Sequence, residues 1–218
     1  MSNPRIALVH ATAVAVEPIR EAFADAWPQA RITNLLDDSL STDLAAEGEI
    51  TERMIERFVA LARYSEGCGA HAILFTCSAF GVAIEAARAA VGVPVLKPNE
   101  AMFDEALEGG RRMGLISTFE PSIASMVREL EEEAKRRGIA ISIRTRSVPD
   151  AMTALQHGNA QLHDELIARA GAEFDECDVL MLAQFSMARA AKGFRARAGQ
   201  RLLTSPYSAV ARLKRDLA

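Results

Sequence analysis

Long apolar runs are missing from this sequence. None approaches the roughly 20 residues a helix needs to cross a bilayer. The start, Met1 to Arg5, leads into a strand-like run without the hydrophobic region of a signal peptide. Cysteine is scarce: Cys68, Cys77 and Cys177 follow no metal-binding spacing, and an odd count argues against a disulfide framework. The expectation is a reduced, cytoplasmic protein. Charge of one sign is also lacking, with 25 Lys and Arg against 29 Asp and Glu, a net charge of −4, in mixed order. Without a basic stripe, a nucleic-acid partner is not expected. The cluster Lys135, Arg136 and Arg137 lies beside Glu131, Glu132 and Glu133 and reads as a solvated helix face. No Gly-rich dinucleotide loop follows the first strand, where residues 9–15 read VHATAVA, and no phosphate loop or metal-spaced His/Asp/Glu set occurs. The chemistry is therefore expected to need no cofactor and no metal.

What is present is an alternation of strand and helix signals. Strands are predicted at residues 5–9, 31–36, 72–76 and 93–96. Between them, Ile19, Ala22, Phe23, Ala26 and Trp27 recur at helical spacing after Pro18, and Met54, Ile55, Phe58, Val59 and Ala62 mark another helix. A further helix begins near Gly81. The pattern then restarts, with strands at 112–116, 139–143, 179–183 and 201–204. Pro121 opens a helix closed by Gly138, and Asn159 caps another. Such alternation predicts an α/β fold with parallel sheets covered by helices on both faces.

A shift of 107 residues brings the halves into register. Arg5-Ile-Ala-Leu-Val falls on Arg112-Met-Gly-Leu-Ile, and residues 73–77 (ILFTC) fall on 180–184 (LMLAQ). Ala83, Arg88, Ala89, Gly92 and Leu96 match Ala190, Arg195, Ala196, Gly199 and Leu203 without a gap. The expectation is two pseudo-symmetric parallel-sheet halves with an active-site cleft between them. Residues 1–98 plus 206–218 would form the first half and 99–205 the second.

Ligands of open parallel sheets bind beyond the carboxyl ends of the strands, so the residues there are the candidates. Thr76-Cys77-Ser78 follows the central strand of the first half, and its counterpart is Ala183-Gln184-Phe185-Ser186. A cysteine at such a strand-to-helix turn reads either as an inert core thiol or as a reactive one. The helix N-terminus is expected to lower the pKa of Cys77 and to suit a carboxylate ligand. Cys68 and Cys177 precede their strands and read as structural. His10 ends the first strand as a proton carrier or a structural residue. Ser117, Thr118 and Phe119 end its counterpart, and the fourth strands end in Lys97-Pro98-Asn99 and Thr204-Ser205-Pro206-Tyr207. The hydroxyls of Ser78 and Thr118 read as carboxylate ligands or as caps. Phe80, Phe119, Phe185 and Tyr207 read as cleft walls or as core.

Two such halves, each placing a residue after its central strand, resemble the aspartate/glutamate racemase superfamily over essentially the whole chain. That superfamily includes aspartate, glutamate and hydantoin racemases, maleate isomerase and arylmalonate decarboxylase. The resemblance rests on Thr76-Cys77-Ser78, supported by Thr118 and by Thr204-Ser205-Pro206. It implies a cofactor-independent isomerase of racemase type acting beside the carboxylate of a small acid. Cys77 and Gln184 would be its catalytic pair, with His10, Thr76, Ser78, Thr118, Phe185 and Ser186 binding substrate. It also implies a last helix at about 206–217 packed on the first half, and a possible homodimer. The racemases carry cysteine at both strand ends, whereas here the second position is Gln184, whose amide is neither base nor acid near neutral pH. Arylmalonate decarboxylase keeps one cysteine at the other position, so this chain looks like its mirror arrangement. A decarboxylase with Cys77 as proton donor, a maleate-isomerase-like covalent route and a non-catalytic small-carboxylate binding protein remain alternatives.

Overall fold

The computed structural model describes residues 3–217. Apolar stretches that alternate with amphipathic segments pair as two four-stranded parallel sheets. The chain divides into two units, one running to Glu100 and resuming at Ala209, the other spanning Ala101–Ser208.

In the first unit the sheet has the order β2-β1-β3-β4, with β1 at Arg5–His10, β2 at Arg31–Leu36, β3 at Ala72–Phe75 and β4 at Val95–Leu96. β1 and β3 are buried almost throughout because the central strands of a parallel sheet are covered on both faces. Successive side chains point to opposite faces. Ala7, Val9, Ile73, Phe75 and Val95 fall on one of them and join a core with Leu40 of α2 (Ser39–Glu47), Met54 and Phe58 of α3 (Glu52–Gly67), and Ala83, Ile84 and Ala87 of α4 (Gly81–Ala89). Phe58 is the hinge of this core, stacking on Phe75 at 5.1 Å and on Phe80 at 4.8 Å between ring centroids. α1 (Val16–Ala26) buries Ile19, Ala22 and Phe23. At the start of α3 the Thr51 hydroxyl accepts the Met54 N–H, an ordinary N-cap.

The second unit has the order β6-β5-β7-β8, with β5 at Arg112–Ser117, β6 at Ser142–Ser147, β7 at Val179–Leu182 and β8 at Arg201–Thr204. Met113, Leu115, Val179, Met181 and Leu203 pack with α5 (Glu100–Gly109) and α6 (Ile123–Arg136). Ile116, Leu180 and Leu182 pack on the other face with α7 (Pro149–Gln156) and α8 (Ala160–Gly171). Asn159 caps α8 by accepting the Leu162 N–H, and Gly138, at φ 67°, follows the end of α6. Arg136 and Arg137 on α6 both pair with Glu133, and Arg137 also reaches Asp104, so that cluster is an ion-pair network at the surface. α9 (Ser205–Leu217) closes the chain, and its Lys214 Nζ donates to the Ala26 carbonyl.

The repeat is present in the pairing itself. β1 meets β3 with Ile6 opposite Ala72, and β5 meets β7 with Met113 opposite Val179. β3 meets β4 with Ile73 opposite Val95, and β7 meets β8 with Leu180 opposite Leu202. Each of these pairs obeys the 107-residue shift. The second strands do not: β2 starts at Arg31 and β6 at Ser142, with Arg5 opposite Arg31 and Arg112 opposite Ser142. The strand expected at residues 139–143 is therefore displaced to Ser142–Ser147. Ile139 and Ile141 leave α6 and pack against the core as a connection, and pairing begins only where the Ser142 N–H reaches the Arg111 carbonyl. Both β2 and β6 are edge strands with largely exposed side chains, so their burial pattern does not fix their position. The strand expected at 93–96 shortens to Val95–Leu96, because Pro94 has no N–H to give to a ladder.

Candidate active site

In the first unit the candidates converge where β1 and β3 end. The Thr76 N–H donates to the Val9 carbonyl at 3.0 Å and carries the β-pairing one residue past β3. Cys77 remains extended (φ −121°, ψ 120°) and precedes a short 3-10 turn, Ser78–Phe80, that runs into α4. The alternation continues through this extended segment, so Cys77 packs on the same core as Phe75 and closes a narrow recess lined by Val9, His10, Ala11, Leu40, Phe58 and Phe75. The thiol is partly exposed, as are Ser78 and Ala79. Thr76 points the other way, where its hydroxyl lies 2.9 Å from His10 Nδ1. The opposite ring nitrogen, Nε2, lies 3.0 Å from Asn34 Oδ1 on β2. With the Asn34 oxygen as acceptor, Nε2 carries the proton and Nδ1 accepts from Thr76, which makes a neutral ring. His10 has no exposed surface. Burial pulls its pKa below the usual histidine value, against the Asn34 bond, which raises it.

One expectation is corrected here. The pKa of Cys77 is raised, not lowered. Burial opposes the thiolate, and the single backbone N–H that reaches the sulfur, from Ala79, only partly offsets it. The 3-10 turn is one reason: it supplies one turn of donors before the α-helix begins. At neutral pH Cys77 is therefore a thiol that carries its proton.

The equivalent place in the second unit is built around an amide. The Ala183 N–H donates to the Ile116 carbonyl at 3.0 Å, as Thr76 does to Val9, and the next residue is Gln184. Gln184 Oε1 accepts from the Thr118 N–H at 2.8 Å and from the Thr118 hydroxyl at 3.3 Å. Its Nε2 donates to Ser117 Oγ at 2.8 Å and to Ser122 Oγ at 3.3 Å. Both serine hydroxyls donate in turn to the Phe119 carbonyl, at 2.9 and 2.7 Å, and the Phe119 N–H returns to Ser117 Oγ at 3.1 Å. Every proton in this ring has one consistent direction. A flipped amide would set its NH2 against the Thr118 N–H, so the orientation is determined. After Gln184 the chain continues as a long 3-10 segment, Phe185–Gly193, in which Phe185 and Ser186 are buried. Ser205 Oγ donates to the Ala183 carbonyl at 3.1 Å and ties the start of α9 to this strand end.

Cys77, Thr76, His10 and Ser78 thus gather in one unit, and Gln184 and Thr118 in the other. Three partners were not selected from sequence. Asn34 sits on an exposed edge strand, where an Asn carries no signal. Ser117 reads as the end of a strand, and Ser122, behind Pro121, as part of a helix start. Among the described residues no group of three His, Cys, Asp or Glu side chains is placed to hold a metal ion. No described helix is long and apolar enough to cross a membrane.

Paired four-strand parallel sheets with a thiol at one strand end and an amide at its equivalent define a duplicated α/β protein of racemase type. The Asp/Glu/hydantoin racemase family model matches residues 7–213, and the chain belongs to that family. In fold it is similar to an aspartate racemase homologue from Pyrococcus horikoshii OT3 (TM-score 0.74, 15% identity, 99% of this chain and 98% of that one). It is also similar to the aspartate racemase of Picrophilus torridus (TM-score 0.73, 16% identity, 98% and 94%). A third similar structure is a glycine-to-cysteine mutant of arylmalonate decarboxylase in its sulfate-associated form (TM-score 0.68, 20% identity, 99% and 95%). No curated protein matches the sequence.

Proposed function

We propose that this protein catalyses cofactor-independent proton transfer at the carbon next to the carboxylate of a small acid, with Cys77 as its single proton carrier. The observation that carries the reading is the Gln184 amide. It occupies the repeat position equivalent to Cys77, and both its N–H bonds are already given to Ser117 and Ser122. Two-thiol racemisation needs a second group that gains and loses a proton, and an amide does neither near neutral pH. His10 is a poor substitute, because both ring nitrogens are engaged within the fold.

A buried, protonated thiol suits the delivery of a proton to a carbanion better than the removal of one from a weak carbon acid. Loss of carbon dioxide from a malonate-type acid generates such a carbanion without a base. The N–H and hydroxyl groups of residues 77–79 are the donors available to steady the enediolate. Within racemase-type chemistry, decarboxylation followed by one-sided protonation is therefore the favoured reaction. Racemisation through Cys77 and a second carrier, such as water, is the alternative supported by family membership.

Incubation in deuterated water with amino acids, hydantoins, 2-substituted malonates and maleate separates these reactions. The expected result is carbon dioxide release from a malonate and one enantiomer of α-deuterated product, abolished by Cys77→Ala. Fast exchange into both enantiomers of an amino acid, or full activity in Cys77→Ala, overturns the reading.

A further inference from the structure

Four aromatic residues lie near the strand ends, and the structure separates them. Phe80 is wholly buried against Phe58, and Phe185 is buried to within 2%. Tyr207 is partly buried on α9. Phe119 is 49% exposed although it directly follows the end of β5. An exposed loop aromatic usually owes its position to chance, but this one is fixed from behind. Its N–H is held by Ser117 Oγ, its carbonyl accepts from Ser117 Oγ, Ser122 Oγ and the Ser122 N–H, and the preceding residue, Thr118, is held twice by Gln184. A rigid backbone that presents a bare ring beyond a parallel strand costs apolar exposure without contributing to the core.

The surroundings of the thiol point to the same ligand chemistry. The recess beside Cys77 is lined by Val9, Ala11, Leu40, Phe58 and Phe75, and its other polar group, His10, is neutral. Lys97, the first residue beyond β4, is paired with Glu85 at 3.1 Å, so that cation is already balanced by a carboxylate. These features suit an apolar α-substituent better than the second carboxylate of an acidic amino acid.

We propose that Phe119 is the specificity-determining residue and selects small carboxylates with an aryl or branched alkyl α-substituent, while Gln184 is a positioning residue that holds the turn presenting it. The inference rests on the reading that the strand ends form the active site, and it names the substrate class of that site.

Binding of acetate, succinate and phenylacetate to the full chain, by calorimetry and ligand-observed NMR, tests it without requiring turnover. Phenylacetate is expected to bind about tenfold tighter than acetate or succinate, the scale of one good aromatic contact. Phe119→Ala removes that preference and leaves acetate binding unchanged, whereas Phe119→Leu retains most of it. Gln184→Ala lowers phenylacetate binding by a similar factor, and the double variant loses no more than either single one, because one residue acts through the other. Succinate binding at least as tightly as phenylacetate, an unchanged preference in Phe119→Ala, or no binding of any of the three overturns the assignment of Phe119. Additive losses overturn the role of Gln184. The two readings fail separately. A protein that selects phenylacetate but is inert in deuterated water keeps this inference and loses the reaction. One that turns over aspartate in preference to aryl acids does the reverse.

Discussion

Cys77 and Cys68 show how local environment separates two identical side chains. Cys68 is exposed, Cys77 partly buried and Cys177 buried. With the Cys77 thiol raised by burial, iodoacetamide at neutral pH is expected to label Cys68 first, Cys77 more slowly and Cys177 last. The informative readout by peptide mapping is protection: a bound small carboxylate slows Cys77 and leaves Cys68 unaffected. Equal slowing of both, or labelling of Cys177 ahead of Cys77, argues against Cys77 as the site thiol. Histidine supplies a second residue-scale prediction. His10 and His163 are both fully buried, and burial lowers both pKa values against the raising effect of Asn34 and Asp164 respectively. Between the folded and unfolded values the unfolded chain binds more protons, so the stability is complete above about pH 6.5 and is lost progressively below it. Urea midpoints are expected to fall from pH 7.5 to pH 5.5, and His163→Leu to flatten the fall. A midpoint that rises on acidification contradicts this account.

Individual elements depend on close approaches that a single methyl group disturbs. Gly114 lies mid-way along β5 on the face shared with Ile116, and a Cβ there would sit 2.5 Å from Phe174 Cδ1 and 2.8 Å from Leu180 Cδ1. Both are packed core side chains, so Gly114→Ala is expected to cost about 1–3 kcal/mol by overpacking. The measurement is the urea midpoint with an unchanged slope. The cap of α8 has a smaller effect: Asn159→Ala removes the acceptor for the Leu162 N–H and is expected to cost about 1 kcal/mol. A larger loss for Asn159→Ala than for Gly114→Ala would place the weak point of the second unit in its helices rather than in its sheet.

At the scale of the whole molecule the chain is one design used twice. His71 Nδ1 accepts the Arg5 N–H in one unit, and Asp178 Oδ2 accepts the Arg112 N–H in the other, both at the entry to the central pair of strands. At the opposite end of those strands stand Cys77 and Gln184. Gln184→Cys gives both ends a thiol, and on the one-carrier account it should raise α-deuterium exchange and erode the enantiomeric purity of the product. Chiral chromatography of wild type and variant decides this, and an unchanged product ratio in a folded variant counts against it. With no metal-ligand cluster among the described residues, turnover is also expected to survive dialysis against a chelator.

The sequence by itself determined the fold class, the duplication and the strand ends, because these depend on hydrophobic period and on residues contiguous in the chain. It located β1, β3, β5, β7 and β8 closely, since buried central strands are continuous apolar runs. It misplaced β6, because an exposed edge strand has no burial pattern and its register is set by where the partner's backbone lies. The thiol pKa went the opposite way for a related reason. Position at a helix start is readable, but desolvation by Leu40, Phe58 and Phe75 comes from segments distant in sequence. The ring through Gln184, Thr118, Ser117, Ser122 and Phe119 likewise joins residues up to 67 apart. Hydrogen-bond direction and burial are properties of neighbours in space, and only the tertiary structure supplies those neighbours.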